Sequence, residues 1–178
     1  MDSMVFISEL VTTLTLILKE QKKTIATVES CTGGMVGAAI TDLAGVSDVF
    51  VGGYITYSNE QKTRAVGVSE AALKVHGAVS GQVAIEMANG GRENAEADMA
   101  VSLTGIAGPN GGNEEKPVGT VWICVATDLG TPDCRRFIFP GDRAGVRARA
   151  TIAALKMCIQ NLTNDNQPLD HQYERFDA

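Results

Sequence analysis

The stretch TIATVESCTGGMVGAAI, residues 24–40, decides the fold of this chain. It begins with TIATV, a short, β-branched and uninterrupted run that is typical of a strand buried on both faces. The small and apolar residues after the two glycines predict a helix that ends near Leu43. A buried strand that turns straight into a helix is the building unit of α/β folds. The stretch therefore predicts an α/β protein with a polar turn, ESCTGG, at a strand end.

The same two patterns alternate along the rest of the chain. Serine caps and a helical period predict further helices, and apolar runs between glycine-rich turns predict further strands. The helices are expected at residues 5–21, from 58 onward, at 69–76, 80–95 and 142–160, and the strands at 48–57, 99–103, 120–127 and 135–139. We predict a three-layer α/β/α sandwich around a mixed, mostly parallel sheet of about five strands, the last two forming an antiparallel hairpin.

Length indicates a single domain. A chain of 178 residues can bury one hydrophobic core, and residues 1–160 contain all the predicted elements. Residues 161–178 are polar and acidic with one proline, so we expect a tail that is flexible or packs on a partner subunit. We expect a homo-oligomer, a dimer.

Charge and cysteine usage exclude several classes of protein. A net charge of −6 argues against a nucleic-acid surface, which needs clustered Lys and Arg. No apolar run approaches the roughly 20 residues that span a bilayer, and the amino terminus lacks the basic segment of a signal peptide, so we expect a cytoplasmic protein without a membrane partner. The four cysteines, at 31, 124, 134 and 158, show no metal-like spacing, so we expect them to be reduced, with no metal and no cofactor bound.

The turn ESCTGG lies where α/β sheets bind ligands, at the carboxyl end of a strand. Amides at the start of the next helix favour an anion or a developing oxyanion, and the two glycines let a ligand approach the backbone. The same residues are equally compatible with a plain helix cap formed by Ser30 or Thr32. Cys31 has no basic neighbour to activate it, and a histidine base for Ser30 would have to come from far along the chain. The turn by itself therefore leaves nucleophile, phosphate cradle and cap open.

The stretch YSNEQK, residues 57–62, offers a base. Ser58 and Gln61 form a capping box that puts Lys62 in the first helical turn. The helix dipole, together with burial in a cleft, would favour the neutral amine of Lys62, which is the form that a general base needs. Tyr57, just before the cap, can donate or relay a proton. An exposed surface lysine is the ordinary alternative.

Two later segments also follow strands. The glycine-rich loop TGIAGPNGG, which begins at Thr104, would line a nucleotide pocket with its amides, although it matches neither a Walker A motif nor a dinucleotide fingerprint. In PGDRAGVRAR, the arginines Arg143, Arg147 and Arg149 form a spot about the size needed for one phosphate group. Arg143 is equally compatible with a surface position next to a helix cap.

Taken in order, the strings ESCTGG, GGYITYSNEQK, HGAVS, TGIAGPNGG, EEKPVGTVW and GDR resemble the CinA carboxy-terminal domain family over about residues 24–160. This family is known as competence/damage-inducible protein, and its stand-alone members include metal-independent amidohydrolases of pyridine nucleotide salvage. The resemblance implies hydrolysis of the carboxamide of nicotinamide mononucleotide (NMN) to nicotinate mononucleotide and ammonia. The long forms of the family carry a further domain that resembles molybdopterin-binding proteins, and its activity is not transferred to this chain.

The resemblance also implies roles for single residues. It indicates a Ser/Lys-type mechanism with Ser30, Tyr57 and Lys62 as catalytic residues, in which Lys62 takes the Ser30 proton, directly or through Tyr57. Backbone amides near residues 31–34 would hold the oxyanion. A non-catalytic module that binds a pyridine nucleotide, or that acts in competence or the damage response, is the alternative function. The expected substrate-binding residues are Cys31, Thr32, Gly33, Gly34, Thr104, Gly105, Ala107, Gly108 and Arg143.

Overall fold

The computed structural model describes residues 3–164, 169 and 171–176. In this part of the chain six helices and six strands form, and all but the last strand lie close to the predicted positions. None of these helices combines the length and the apolar character that crossing a membrane requires. The elements are α1 (Ser3–Gln21), β1 (Ile25–Glu29), α2 (Met35–Thr41), β2 (Phe50–Ile55), α3 (Asn59–Val66), α4 (Glu70–His76), α5 (Gly81–Asn94), β3 (Met99–Gly105), β4 (Thr120–Thr127), β5 (Asp133–Ile138), α6 (Arg143–Thr163) and β6 (Tyr173–Arg175).

The strands form one mixed sheet in the order β2-β1-β3-β4-β5-β6. Strand β1 pairs in parallel with β2 and β3, whereas the pairs β3–β4, β4–β5 and β5–β6 are antiparallel. The predicted mixed three-layer sandwich is confirmed, but the sheet has six strands instead of five and is less parallel than predicted. The reason is that parallel neighbours need a long crossover, usually a helix, and no helix lies between β3 and β4 or between β4 and β5.

The additional strand lies in the segment that was predicted to be a polar tail. Helix α6 extends to Thr163, and β6 then pairs with β5 of the same chain. The Tyr173 ring packs 5.6 Å from the Phe137 ring, and the Arg135 guanidinium lies 4.7 Å above it. A strand of three residues with a polar sequence, YER, carries no apolar pattern that would reveal it. Residues 165–168, 170, 177 and 178 of the predicted tail lie outside the described part.

Helices cover both faces of the sheet. The larger core cluster lies between the sheet and α1, α2 and α6, and it takes the bulky side chains of β3, Met99, Val101 and Leu103. The opposite face carries small residues, so α5 lies close to the strands: Ser102 Oγ donates to Ala84 O at 2.6 Å. Helices α3 and α4 pack with α5 on this face. The carboxyl ends of β1, β2 and β3 lie together at one edge of the sheet.

Candidate active site

The carboxyl ends of the three parallel strands meet at this edge of the sheet. The Ser30 amide donates to Leu103 O at 3.0 Å, and the Thr56 amide donates to Glu29 O at 2.8 Å. These two bonds carry the ladder one step beyond the ends of β1 and β2. Ser30, Thr56 and Thr104 are therefore neighbours, although they come from three separate segments of the chain.

Lys62 reaches Ser30 because of the way α3 begins. The Ser58 hydroxyl accepts a hydrogen bond from the Gln61 amide at 3.2 Å, as the capping pattern predicts. The next side chain, Lys62, points inward and is only 1 % exposed. Its Nζ lies 3.0 Å from Ser30 Oγ and 2.8 Å from Thr56 O. The alternative of an exposed surface lysine is therefore wrong.

The surroundings of Lys62 favour its neutral amine. None of the ion pairs found in the described ranges includes Lys62, and burial lowers the pKa of this amine below its usual value. A neutral amine has two N–H donors and one lone pair. The carbonyls of Thr56 and Tyr57, at 2.8 and 3.4 Å, can take the two donors. The lone pair then faces the Ser30 hydroxyl, so Lys62 can accept its proton.

Glu29, the last residue of β1, caps the start of α2 with its side chain. Its buried carboxylate accepts hydrogen bonds from the amides of Gly34 and Val36, at 3.0 and 3.1 Å, and from Gly37 at 2.9 Å. The expectation that the Gly34 amide would hold an oxyanion is thus wrong, because that amide is occupied. Sequence reasoning missed this role of Glu29, although an acidic residue near a helix start is a recognisable signal.

Two amides next to Ser30 remain open. The Gly33 amide donates back to Ser30 O at 3.1 Å, whereas no hydrogen bond from the amides of Cys31 and Thr32 to another residue is found in the part of the chain that the structure describes. The Cys31 amide contacts the thiol of its own side chain. Arg147 of α6 binds the carbonyls of the peptide groups that carry the Thr32 and Gly33 amides. Its Nε donates to Cys31 O at 3.2 Å and its Nη2 to Thr32 O at 2.8 Å. The predicted oxyanion-binding region therefore narrows to the amides of Cys31 and Thr32.

Tyr57, predicted to donate or relay a proton, lines the same pocket as Ser30 and Lys62, and its hydroxyl is hydrogen-bonded to Arg143. Its side chain is 61 % exposed, and its hydroxyl accepts a hydrogen bond from Arg143 Nη2 at 3.1 Å. The hydrogen bonds found among the described residues do not connect this hydroxyl to Ser30 or Lys62. Arg143 in turn donates through Nη1 to Gly108 O at 2.9 Å. Tyr57 thus supports Lys62 with its backbone carbonyl and positions Arg143 with its hydroxyl.

The four cysteines lie in the interior of the fold. All four are free and buried. Burial, with a smaller contribution from the Glu29 carboxylate, raises the pKa of the Cys31 thiol to about 11, so the reactive thiolate is scarce at neutral pH. Within the described ranges, no group of three or more His, Cys, Asp or Glu side chains is arranged to hold a metal ion.

Ser30 and Lys62 open into a pocket of about 220 Å³. Of the predicted site residues, Thr32, Gly33, Gly34 and Gly108 do not line it. Three lining residues were not predicted, Asn59, Ala78 and Val79, although the strings YSNEQK and HGAVS contain them. The full lining is Ser30, Cys31, Tyr57, Asn59, Lys62, Ala78, Val79, Thr104, Gly105, Ala107 and Arg143.

A second, wider pocket of about 650 Å³ adjoins the first, and the two share Ala107 and Arg143. Gly108, predicted as a binding residue, lines this second pocket together with Arg147. Arg149, the third arginine of the predicted phosphate spot, lines neither pocket. The site is therefore a small chamber at Ser30 that continues into a larger one beside two arginines.

Known proteins are similar in sequence to this chain over most of its length. The family model for the CinA C-terminal domain matches residues 7–162. The nicotinamide-nucleotide amidohydrolase PncC of Escherichia coli strain K12 is 55% identical over 143 residues, which cover 80% of this chain and 87% of that protein. A CinA-like protein of Geobacter sp. strain M21 is 52% identical over 142 residues, which cover 80% of this chain but only 34% of that longer protein.

Solved structures share the fold. The competence/damage inducible protein CihA from Agrobacterium tumefaciens has a TM-score of 0.86 at 36% sequence identity, covering 89% of this chain and 96% of that one. A CinA superfamily protein from Klebsiella pneumoniae has a TM-score of 0.85 at 34% identity, covering 89% and 98%. Because the family model matches most of the chain, including every residue of the site, the chain belongs to the CinA C-terminal domain family.

Proposed function

We propose that this chain is an amidohydrolase that converts NMN to nicotinate mononucleotide and ammonia by a Ser/Lys-type mechanism. The observation that carries the proposal is the buried Lys62 amine, 3.0 Å from the Ser30 hydroxyl in a small pocket. A serine next to a base of lowered pKa is an activated nucleophile for acyl groups. The substrate class comes from the E. coli relative, whose name is nicotinamide-nucleotide amidohydrolase.

The first half of the reaction forms an acyl-enzyme. Lys62 takes the proton of Ser30 as Ser30 Oγ bonds to the carboxamide carbon, and the carbonyl oxygen becomes an oxyanion. The open amides of Cys31 and Thr32 are the donors nearest in sequence to the nucleophile, and they stabilise this charge. The Lys62 ammonium then gives its proton to the amide nitrogen, and ammonia leaves.

The second half reverses the roles. Lys62, neutral again, takes a proton from a water molecule that attacks the acyl carbon. The second oxyanion uses the same amides, and Ser30 leaves with the proton that Lys62 returns. The net change is one amide and one water converted to one acid and one ammonia, with no metal or redox cofactor required.

Arg147 lines the wider pocket and not the chamber at Ser30, and it supports this chemistry through the backbone. Its guanidinium binds the carbonyls of Cys31 and Thr32, which fixes the peptide groups that carry the Thr32 and Gly33 amides and so keeps the Thr32 donor in one orientation. A fixed donor needs no reorganisation when the oxyanion forms, and this is the main source of its catalytic effect. Arg147 is therefore a positioning residue.

The remainder of the nucleotide extends into the wider pocket. The pyridine carboxamide occupies the chamber at Ser30, and the ribose and phosphate lie toward Arg143, which borders both pockets. The hydrogen bonds from Arg143 to Gly108 O and to the Tyr57 hydroxyl hold its guanidinium at this border. A positioned arginine is well suited to bind a phosphate monoester.

The setting of the enzyme is part of the same proposal. Four unpaired cysteines suit a reducing compartment, which supports a cytoplasmic location. The proposed partner is a small pyridine nucleotide, and the net charge of −6 gives no support to nucleic-acid binding. A homo-oligomer, a dimer, remains our expectation for the assembly.

An ammonia-release assay with NMN, with product identification by mass spectrometry, tests the proposed function. The wild-type protein should release one ammonia for each nicotinate mononucleotide formed. Ser30→Ala should abolish turnover yet still bind NMN in a calorimetric titration. The matched control is Ser47→Ala, because Ser47 is exposed in the turn after α2.

Three outcomes would contradict the proposal. Wild-type protein that releases no ammonia but is stabilised by NMN in a thermal-shift assay would be a binding module instead. Full turnover by Ser30→Ala would remove Ser30 from the mechanism. A protein that neither binds NMN nor releases ammonia would have another substrate altogether.

A further inference from the structure

Thr104 is a buried polar residue of the pocket for which the reaction above has no use. It is the penultimate residue of β3, is 1 % exposed and lines the same chamber as Ser30 and Lys62. Its hydroxyl donates a hydrogen bond to Ala78 O at 2.7 Å. Ala78 lies in the segment that links α4 to α5 and also lines the chamber.

The direction of this hydrogen bond is unambiguous. A carbonyl oxygen can only accept, so the single hydroxyl hydrogen of Thr104 must point at Ala78 O. The hydroxyl oxygen keeps its lone pairs, and no hydrogen is left to donate elsewhere. Toward a ligand in the chamber, Thr104 is therefore an acceptor only.

The position of Thr104 relative to the nucleophile follows from the strand register. The last registered pair of β1 and β3 is Glu29 with Leu103, and the Ser30 amide donates to Leu103 O. Ser30 and Thr104 are the next residues on the two strands. Neighbouring strands lie about 4.8 Å apart, so a group attacked by Ser30 is within reach of Thr104.

We propose that Thr104 Oγ1 accepts a hydrogen bond from the NH₂ group of the substrate carboxamide and so distinguishes the amide from the carboxylic acid product. This inference rests on the proposed deamidation. A carboxamide held with its carbon about 3 Å from Ser30 Oγ can direct its nitrogen to Thr104 and its oxygen to the amides of Cys31 and Thr32.

The chemistry of substrate and product differs most at this contact. The amide nitrogen has two hydrogens to donate, whereas the product carboxylate has only acceptor oxygens. A carboxylate oxygen against an acceptor-only hydroxyl brings two lone pairs together without a hydrogen, which is unfavourable when both are desolvated. Thr104 therefore favours substrate binding and promotes release of the acid.

The test compares the two ligands in a background without turnover. In Ser30→Ala protein, isothermal titration should show NMN binding more tightly than nicotinate mononucleotide. Adding Thr104→Val, which has nearly the same shape, should weaken NMN binding about tenfold and leave the acid unchanged or bound more tightly, because one hydrogen bond to the amide is lost. Thr104→Ser keeps the hydroxyl and should retain the preference.

The matched control is Thr12→Val on α1. The Thr12 hydroxyl also donates to a backbone carbonyl, Ser8 O at 2.9 Å, but it is exposed and does not line the chamber. This substitution should change neither affinity. If Thr104→Val weakens the amide and the acid by the same factor, Thr104 only holds Ala78 in place, and the inference is wrong.

A second measurement does not depend on the folding of Thr104→Val. The methyl ester of nicotinate mononucleotide has the size of the amide but no N–H donor, so it should bind Ser30→Ala protein about tenfold more weakly than NMN. Equal binding would overturn the inference while wild-type ammonia release leaves the proposed function standing. If the wild-type protein releases no ammonia, the proposed function is wrong, and the inference is wrong with it.

Discussion

Replacing Lys62 by methionine removes the candidate base with little change of shape. Methionine has a similar length, is unbranched and tolerates burial. The substitution takes away the amine that faces Ser30 Oγ and its contacts with the carbonyls of Thr56 and Tyr57. A folded protein with an inactive serine is the expected result.

The size of the effect follows from the surroundings of Ser30. Lys62 is the base that the structure puts at hydrogen-bond distance from Ser30 Oγ, while His76 is exposed at the end of α4 and His171 packs on the Phe139 ring. General bases typically contribute 10²–10⁴-fold, so we expect kcat to fall about a thousandfold, which corresponds to about 4 kcal/mol in activation free energy.

Stability should change much less than activity. Loss of the donor to the Thr56 carbonyl costs about 1–3 kcal/mol. Removal of a buried amine offsets this cost, because the amine no longer has to be desolvated. The melting temperature of Lys62→Met should therefore stay close to that of the wild type.

The assay is steady-state ammonia release with NMN, run beside a thermal melt of each variant. We expect the large loss in kcat with KM changed by less than about threefold, since Lys62 acts on Ser30 and not on the nucleotide. The control is Lys74→Met, the same substitution at an exposed position on α4. Its kcat and KM should match the wild type.

Two results would refute the reasoning. A folded Lys62→Met protein that keeps more than about a tenth of the wild-type kcat would show that Ser30 does not need this base. A raised KM with unchanged kcat would show that Lys62 binds the nucleotide and has no role in proton transfer.

Four other measurements test the same site. Because burial lowers the pKa of Lys62 and the neutral amine is the active form, kcat/KM should rise with pH and level off below 10.5, and a profile still rising through 10.5 would contradict this. Between the lowered pKa of Lys62 in the folded protein and 10.5, its ordinary value, the unfolded chain binds one more proton at this amine than the folded protein does. The free energy of unfolding should therefore rise with pH in this range, and Lys62→Met should abolish that rise. Arg147→Met should lower kcat about tenfold to a hundredfold with a smaller change in KM, whereas Arg64→Met, at an exposed position on α3, should change neither. Glu29→Gln should reduce the free energy of unfolding by about 2–3 kcal/mol in a denaturant titration, because the glutamine side chain directs its own N–H groups at the backbone N–H groups of α2. An equal loss in Glu60→Gln, at an exposed position, would argue against this.

Most of the fold could be predicted because its signals are local. The caps Ser58, Ser69 and Ser80 each accept a hydrogen bond from the amide three residues on, and the helices begin where these serines predict. Strand β4 has the predicted bounds, Thr120–Thr127. The exceptions are β6 and the balance of parallel and antiparallel pairs, because pairing depends on partners that are distant along the chain.

The site was predictable in its residues but not in its contacts. Sequence placed Ser30 at a strand end and Lys62 in a first helical turn, yet a lysine in that turn is as compatible with solvent as with a pocket. Similarly, the amides at the start of α2 looked available to a ligand. Whether Glu29 occupies them depends on how the end of β1 faces α2, and that is a matter of packing.

The sequence alone determines the elements other than β6, the strand-end motifs and the family, because hydrophobic period, caps and glycine turns act over a few residues. The tertiary structure decides which groups meet: Lys62 with Ser30 across 32 residues, and Arg147 with Cys31 across 116. The physical reason is that burial, a lowered pKa and an open amide are properties of surroundings assembled from distant segments. No single stretch of this chain carries that information.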